Sequence, residues 1–123
     1  MPPTELLIDV TGLASELERF AVERDWSQFH SPKNLVMALA GEVGELAAIF
    51  QWMSESDSLK AASNPDTSQA VKEELADVLL YLVRLAAVLG VDLDEVARQK
   101  LEQNAAKYPV DRAHGTSKKY NKI

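Results

Sequence analysis

Apolar positions along the chain recur with the period of a helix rather than that of a strand. Leu6, Val10, Leu13, Leu17 and Phe20 follow one another at steps of three and four, with Ala21 beside them and Glu16, Glu18, Arg19 and Glu23 on the other side. That predicts an amphipathic helix over about 5–24. The stretch Asp25–Pro32 has no period. Ser31 followed by Pro32 is a helix start, a hydroxyl N-cap with proline at the first helical position, so a second helix is expected over about 32–53. Ser54–Pro65 is polar and reads as a loop or at most one helical turn. Asp66 or Thr67 can open a third helix, about 67–89, which Gly90 ends. Asp92 caps a fourth, about 92–108, with Leu93, Val96, Ala97, Leu101 and Ala105 as its apolar positions and Pro109 as its stop.

No internal repeat and no linker divides the sequence. The expected fold class is all-α, a four-helix bundle subunit spanning 1–109, followed by a basic tail, 110–123. The tail carries Arg112, His114, Lys118, Lys119 and Lys122 without an apolar period, which suggests an extended or mobile arm. The second and third helices are apolar over more than one face. A bundle this small cannot cover both, so subunits are expected to pack through them.

Leu35–Trp52 is apolar except for Gln51, Glu42 and Glu45. On a helix those two carboxylates project one turn apart, in a stripe with Asn34, Ala38, Ile49 and Trp52. Unpaired carboxylates in such a stripe would take up protons rather than stay charged, unless something positive sits between them. Glu74 and Asp77 repeat the spacing at the head of the third helix, with Tyr81 and then Arg84 following at successive turns. Two such pairs on packed helices make an all-oxygen cage that suits Mg²⁺, or Mn²⁺, better than zinc. The plainer alternative is that Glu42, Glu45 and Asp77 form buried ion pairs with Arg84 or Lys72, an arrangement that is seldom net stabilising.

Composition narrows the partners. A chain of 123 residues with 46% hydrophobic and 26% charged residues fits one soluble globular domain. The net charge of −6 argues against binding a nucleic acid polymer. With no cysteine, disulfides, zinc–thiolate sites and thiol catalysis are excluded. Met1–Val10 lacks the pattern of a signal peptide, and the two glutamates inside Leu35–Trp52 make it no membrane span, so a cytoplasmic location is expected.

A metal–carboxylate cage can hold the phosphates of a nucleotide and support hydrolysis of a phosphoanhydride. Lys100, Asn104 and Lys107 share one face of the fourth helix and are candidate phosphate donors, although cations near a helix C-terminus are common without a ligand. Trp26, Phe29 and Trp52 flank the acidic stripe and are candidates for stacking on a base, although aromatics beside helices more often belong to a core. His30 reads as a hydrogen-bonding loop residue. No Glu-x-x-His pair occurs, which argues against a di-iron bundle.

Glu42-x-x-Glu45 followed by Glu74-x-x-Asp77 resembles the EXXE…EXXD signature of the all-α nucleotide pyrophosphohydrolases, the MazG-like superfamily. RDWSQFHSPKNLVMALAGEVGELAAIFQW at Arg24–Trp52, EELADVLLYLV at Glu73–Val83 and KLEQNAAKYP at Lys100–Pro109 resemble its dCTP pyrophosphatase branch. The resemblance, over about Leu13–Tyr120, implies a homotetramer, a dimer of dimers, that converts dCTP or related and modified deoxynucleoside triphosphates to the monophosphate and pyrophosphate. It implies that Glu42, Glu45, Glu74 and Asp77 are Mg²⁺ ligands; one of the glutamates, Glu45 being the one put forward as catalytic, would orient or deprotonate the attacking water, although the sequence does not separate ligand from base. It further implies that Trp26, Ser27, Gln28, Phe29, His30, Asn34 and Trp52 bind substrate, the two tryptophans clasping the base. Tyr81 would contact the nucleotide and Lys100, Asn104 and Lys107 the phosphates. One position departs: where that branch has a first-helix histidine in the substrate pocket, this chain has Leu17. The competing class is a non-catalytic helical interaction module with an acidic face for a basic partner.

Overall fold

The structure is a computed structural model that describes residues 5–123. Every regular element among the described residues is helical: α1 Thr11–Glu23, α2 Pro32–Phe50, α3 Glu55–Ser58, α4 Ser68–Leu89, α5 Leu93–Lys107 and α6 Val110–Ala113, with 3₁₀ turns at Ser27–Phe29 and Tyr120–Lys122. The all-α class expected from periodicity is what the chain adopts. Two compact units form. One is Val10–Val91; the other joins the N-terminal residues up to Asp9 to Asp92–Ile123.

Within Val10–Val91, α2 and α4 pack together most extensively and α1 packs on α4. Leu35, Val71, Val83 and Ala86 supply buried apolar groups on α2 and α4, and Ala21 does so on α1. The start of α2 is as the sequence predicts: Ser31 Oγ accepts the backbone N–H of Asn34 at 3.2 Å, with Pro32 at the first helical position. Gly90 closes α4 at φ 69°, and the Val91 N–H reaches back to the Ala86 carbonyl. That six-to-one bond needs a left-handed residue, which glycine adopts without strain. Asp25 does the same for α1 at φ 53°, the Trp26 N–H bonding to the Ala21 carbonyl at 2.8 Å. An aspartate tolerates that conformation better than most side-chain-bearing residues.

The first helix is shorter than its apolar pattern predicts, beginning at Thr11 rather than near residue 5. In the unit that contains them, the N–H groups of Leu7 and Ile8 donate to Asp94 Oδ1 on α5, at 2.7 and 3.1 Å. A carboxylate accepting two backbone donors holds that segment against α5 instead of in a helical turn. The second helix ends at Phe50, three residues early, because Ser54 starts α3 as a side-chain cap to Asp57. Within residues 110–123, α6 and the Tyr120–Lys122 turn are regular, and the rings of Tyr108 and Tyr120 meet edge to face with centroids 6.1 Å apart. Among the described residues, no helix is long and apolar enough to cross a membrane.

Many large apolar groups stay exposed on the chain taken alone. On α4 they form one stripe, Leu75, Leu79, Leu82 and Leu89.

Candidate functional site

The packing of α2 on α4 brings Glu42, Glu45 and Glu74 together, with one carboxylate oxygen of each lying within 4.8 Å of the others. Glu42 and Glu74 are half-buried and Glu45 is exposed. Oε2 of Glu42 and Oε2 of Glu74 are buried and have no hydrogen-bond partner. The Glu74 pKa is pushed up to about 7, first through the hydrogen bond to Glu42, then by burial, then by Glu45. Three like charges at this spacing cannot all ionise freely, and one holds a proton instead.

Among the described residues, no cation answers these charges. The ion pairs are Arg19–Glu16, Arg24–Glu23, Arg84–Glu18 and Arg98–Asp94. The ion-pair alternative for Glu42, Glu45 and Asp77 therefore does not hold among the described residues: none of the three is in an ion pair, and Arg84 is paired with Glu18. A donor set made only of carboxylate oxygens, two of them buried and unpaired, fits a hard divalent cation. Asp77 does not join the three glutamates in that cluster. It lies one turn further along α4, half-buried, and lines a cavity instead.

That cavity measures about 150 Å³ and lies wholly within Val10–Val91. Leu17, Phe20, Leu80 and Trp26 line it with hydrocarbon and an indole; His30, Asp77, Tyr81 and Arg84 line it with polar groups. The Trp26 ring meets Phe20 edge to face at 5.6 Å and His30 at 6.5 Å. A wider groove of about 480 Å³ runs along α1 past Glu16, Arg19, Phe20 and Arg24. It contains none of the clustered carboxylates, and Arg19 and Arg24 there are already paired with neighbours on their own segment.

The carboxylate cluster on facing helices thus lies one turn of α4, from Glu74 to Asp77, away from a small cavity lined by aromatic and polar groups. Residues 38–123, more than half of the sequence, match the MazG-like family. The chain belongs to that family. It is 46% identical over 121 residues to dCTP pyrophosphatase 1 of Rattus norvegicus, covering 98% of this chain and 69% of the relative. The Homo sapiens dCTP pyrophosphatase 1 is 45% identical over the same shares. A pyrophosphatase of Archaeoglobus fulgidus, known from a crystal structure, superposes with a TM-score of 0.74 at 34% identity, over 87% of this chain and 98% of its own.

The other candidate residues of this MazG-like chain are placed as follows. Ser27, Gln28 and Phe29 form the 3₁₀ turn before α2. Gln28 is tied to the Asp25 carboxylate at 3.0 Å, and Phe29 is exposed. Asn34 Nδ2 donates to the Phe29 carbonyl at 3.0 Å, so it braces the turn. Trp52 does not line the cavity beside Trp26; it stands 89% exposed past the end of α2. Lys100, Asn104 and Lys107 are exposed on α5, in the other compact unit, where the Lys107 ammonium sits 5.1 Å from the Tyr120 ring centre.

Sequence reasoning missed one network. Arg84, 6% exposed, donates from Nε to Nδ1 of His30 at 3.0 Å and from Nη1 to Glu18. Arg84 is seven residues after Asp77 and three after Tyr81, so its place on the cavity face was legible from helical spacing. Its partners were not, because they come from α1 and the segment before α2.

Proposed function

We propose that this chain is a Mg²⁺-dependent nucleoside triphosphate pyrophosphohydrolase that converts dCTP, or a deoxynucleotide closely related to it, to the monophosphate and pyrophosphate. The observation that carries the proposal is the pair of buried, unpartnered oxygens on Glu42 and Glu74, with Glu45 beside them and, among the described residues, no ion pair to any of the three. Membership of the MazG-like family and the dCTP pyrophosphatase relatives support the same reading.

Glu42, Glu45 and Glu74 would hold the ion, and Asp77, one turn from Glu74, would complete the set from the cavity side. Bound there, a divalent ion would neutralise the charge of a triphosphate and of the transition state that breaks it. The residues of the chain do the rest. Trp26 and Tyr81 enclose the base, fixing one end of the substrate so that the α–β anhydride lies over the acidic helices. Glu45 is the most solvent-open of the three clustered glutamates, and its carboxylate would take a proton from an attacking water.

The functional unit is proposed to be an oligomer, a homotetramer built on the exposed apolar surfaces of α2 and α4. Trp52, bare on the isolated chain, would be covered by a neighbouring subunit.

A panel of the common and modified deoxynucleoside triphosphates, read out by pyrophosphate release with and without Mg²⁺, tests the reaction. The expected result is Mg²⁺-dependent formation of pyrophosphate and monophosphate. Release of single phosphates, or turnover unaffected by chelators, would overturn it. Glu42→Gln should reduce kcat/KM at least about a hundredfold while the helical signal stays unchanged, the scale of loss when one charge-stabilising group is removed.

A further inference from the structure

Arg84 is an expensive residue to bury, and nothing proposed above uses it. Its guanidinium is fixed on two sides, by His30 Nδ1 at Nε and by Glu18 at Nη1. Glu18 itself is largely exposed, so it anchors the arginine from the rim rather than sharing its burial. A guanidinium has five N–H donors and no acceptor. The bonds to His30 and Glu18 leave the Nη2 donors of Arg84 for whatever enters the cavity it lines.

The same contact sets the histidine. Nδ1 of His30 accepts a hydrogen bond, so a neutral ring must carry its proton on Nε2. Burial, then the Arg84 charge, lower the His30 pKa from 6.5, which keeps the ring neutral at physiological pH. Arg84 and His30 are thereby locked as donors on one cavity, with the Tyr81 hydroxyl, able to donate or accept, as a third lining group.

Cavity size limits what can be read. About 150 Å³ is the space that admits a benzene-sized ring, so a pyrimidine fits within the cavity. Among pyrimidines, the cytosine edge presents an amine donor followed by two adjacent acceptors, N3 and O2. Uracil and thymine carry a proton on N3, which would face a donor.

We infer that Arg84, held by Glu18 and itself fixing the His30 tautomer, is the specificity-determining residue of the base cavity, selecting a pyrimidine with an unprotonated N3 beside O2 over one with N3–H. This inference rests on the pyrophosphohydrolase reading above. Arg84 meets the base edge directly, and it also positions His30. Glu18 is a positioning residue.

The test compares kcat/KM for dCTP and dUTP in the full chain and in Arg84→Met, Arg84→Lys and Glu18→Ala. Wild type should favour dCTP. Arg84→Met should reduce the dCTP:dUTP ratio at least about tenfold, the scale of a lost buried hydrogen bond and a mismatched partner. Arg84→Lys should recover little of it, because an ammonium cannot hold Glu18 and His30 in the same fork. Glu18→Ala removes only a rim group, so it keeps the fold should Arg84→Met not fold, and it should lower the ratio by a smaller factor. Imidazole ¹⁵N shifts give a second reading: His30 should show a single Nε2–H tautomer in wild type and a mixture in Glu18→Ala or Arg84→Met.

A ratio unchanged in Glu18→Ala and in every folded Arg84 variant, or a wild type that hydrolyses dUTP as well as dCTP, overturns the inference and leaves the pyrophosphohydrolase reading intact. A wild type that releases pyrophosphate from no deoxynucleotide removes that reading, and the inference with it.

Discussion

Arg84 on α4 donates from Nε to Nδ1 of His30 at 3.0 Å, joining residues 54 positions apart in the sequence. The bond requires His30 to be unprotonated at Nδ1, and burial followed by the Arg84 charge lowers its pKa from 6.5. A group whose folded pKa lies below its unfolded value contributes stability that is present above 6.5 and lost as pH falls through the folded value. Proton NMR titration should therefore find the His30 ring more than half neutral at pH 6.5. In Arg84→Met its pKa should move up only part of the way, since burial, the larger cause, remains. An ordinary pKa for His30 in the wild type would contradict the geometry.

The carboxylate cluster predicts the opposite slope. Glu74 is raised from 4.5 to about 7, chiefly by Glu42, then by burial and Glu45. Its contribution to the stability of the metal-free protein is thus fully present below about 4.5 and is lost as pH rises through about 7. The measurement is Tm against pH in chelator for wild type and Glu74→Gln, the difference between them isolating this group from His30. Wild type should lose stability relative to Glu74→Gln across that window. At neutral pH without metal, Glu74→Gln should melt higher. Adding Mg²⁺ should raise the wild-type Tm and leave the variant nearly unmoved, by mass action on the folded state. Equal Mg²⁺ shifts in both proteins would remove Glu74 from the metal site.

How legible all this was in the sequence depends on how local each cause is. The Ser31–Pro32 start of α2 and the Gly90 end of α4 are set by residues within a turn of the event, and both are where spacing and chemistry put them. Glu42, Glu45 and Glu74 were legible because a carboxylate inside an apolar stripe is conspicuous wherever the helix packs. The start of α1 was not, because Asp94 captures the Leu7 and Ile8 amides from 86 and 87 residues away. The role of Arg84 was hidden for the same reason: its helix position is periodic, but its partners, Glu18 and His30, are tertiary. Asp77 shares the spacing of a ligand pair and also lines the cavity, a second placement that ExxD spacing cannot express.

Asp94 ties the N-terminal segment to α5. Its Oδ1 accepts two backbone donors while Oδ2 accepts from Arg98 Nε at 2.9 Å, and its pKa is lowered chiefly by Arg98, with the Leu7 and Ile8 amides adding to the effect. The sign follows: this contribution is present above 3.8 and is lost as pH falls through the folded value. Asp94→Asn keeps the shape but loses the charge, so it should weaken all three bonds. Hydrogen exchange should show the Leu7 and Ile8 amides losing protection in the variant while the α2 and α4 amides keep theirs. Retained protection at Leu7 and Ile8 would mean that the segment is held by something other than this carboxylate.

The thinness of the core leads to the last expectation. Among the described residues, the buried apolar side chains are Ala21, Leu35, Ala61, Val71, Val83 and Ala86, three of them alanines. So few large groups bury little area against the entropy of ordering a chain of 123 residues. The stripe of Leu75, Leu79, Leu82 and Leu89 on α4, with Val36, Met37 and Val43 on α2, is the surface available to make up the difference. Light scattering should therefore return a multiple of 13.6 kDa. Leu79→Glu places a charge in the centre of that stripe and should dissociate the assembly or lower its Tm in a concentration-dependent way. Trp52, 89% exposed on the lone chain, gives an independent optical reading. Its emission, taken as the difference between wild type and Trp52→Phe, should be that of a covered indole in the wild type and shift to the red in Leu79→Glu. A 13.6 kDa wild-type species with fully solvated Trp52 emission would mean that the single chain is stable with this apolar surface bare.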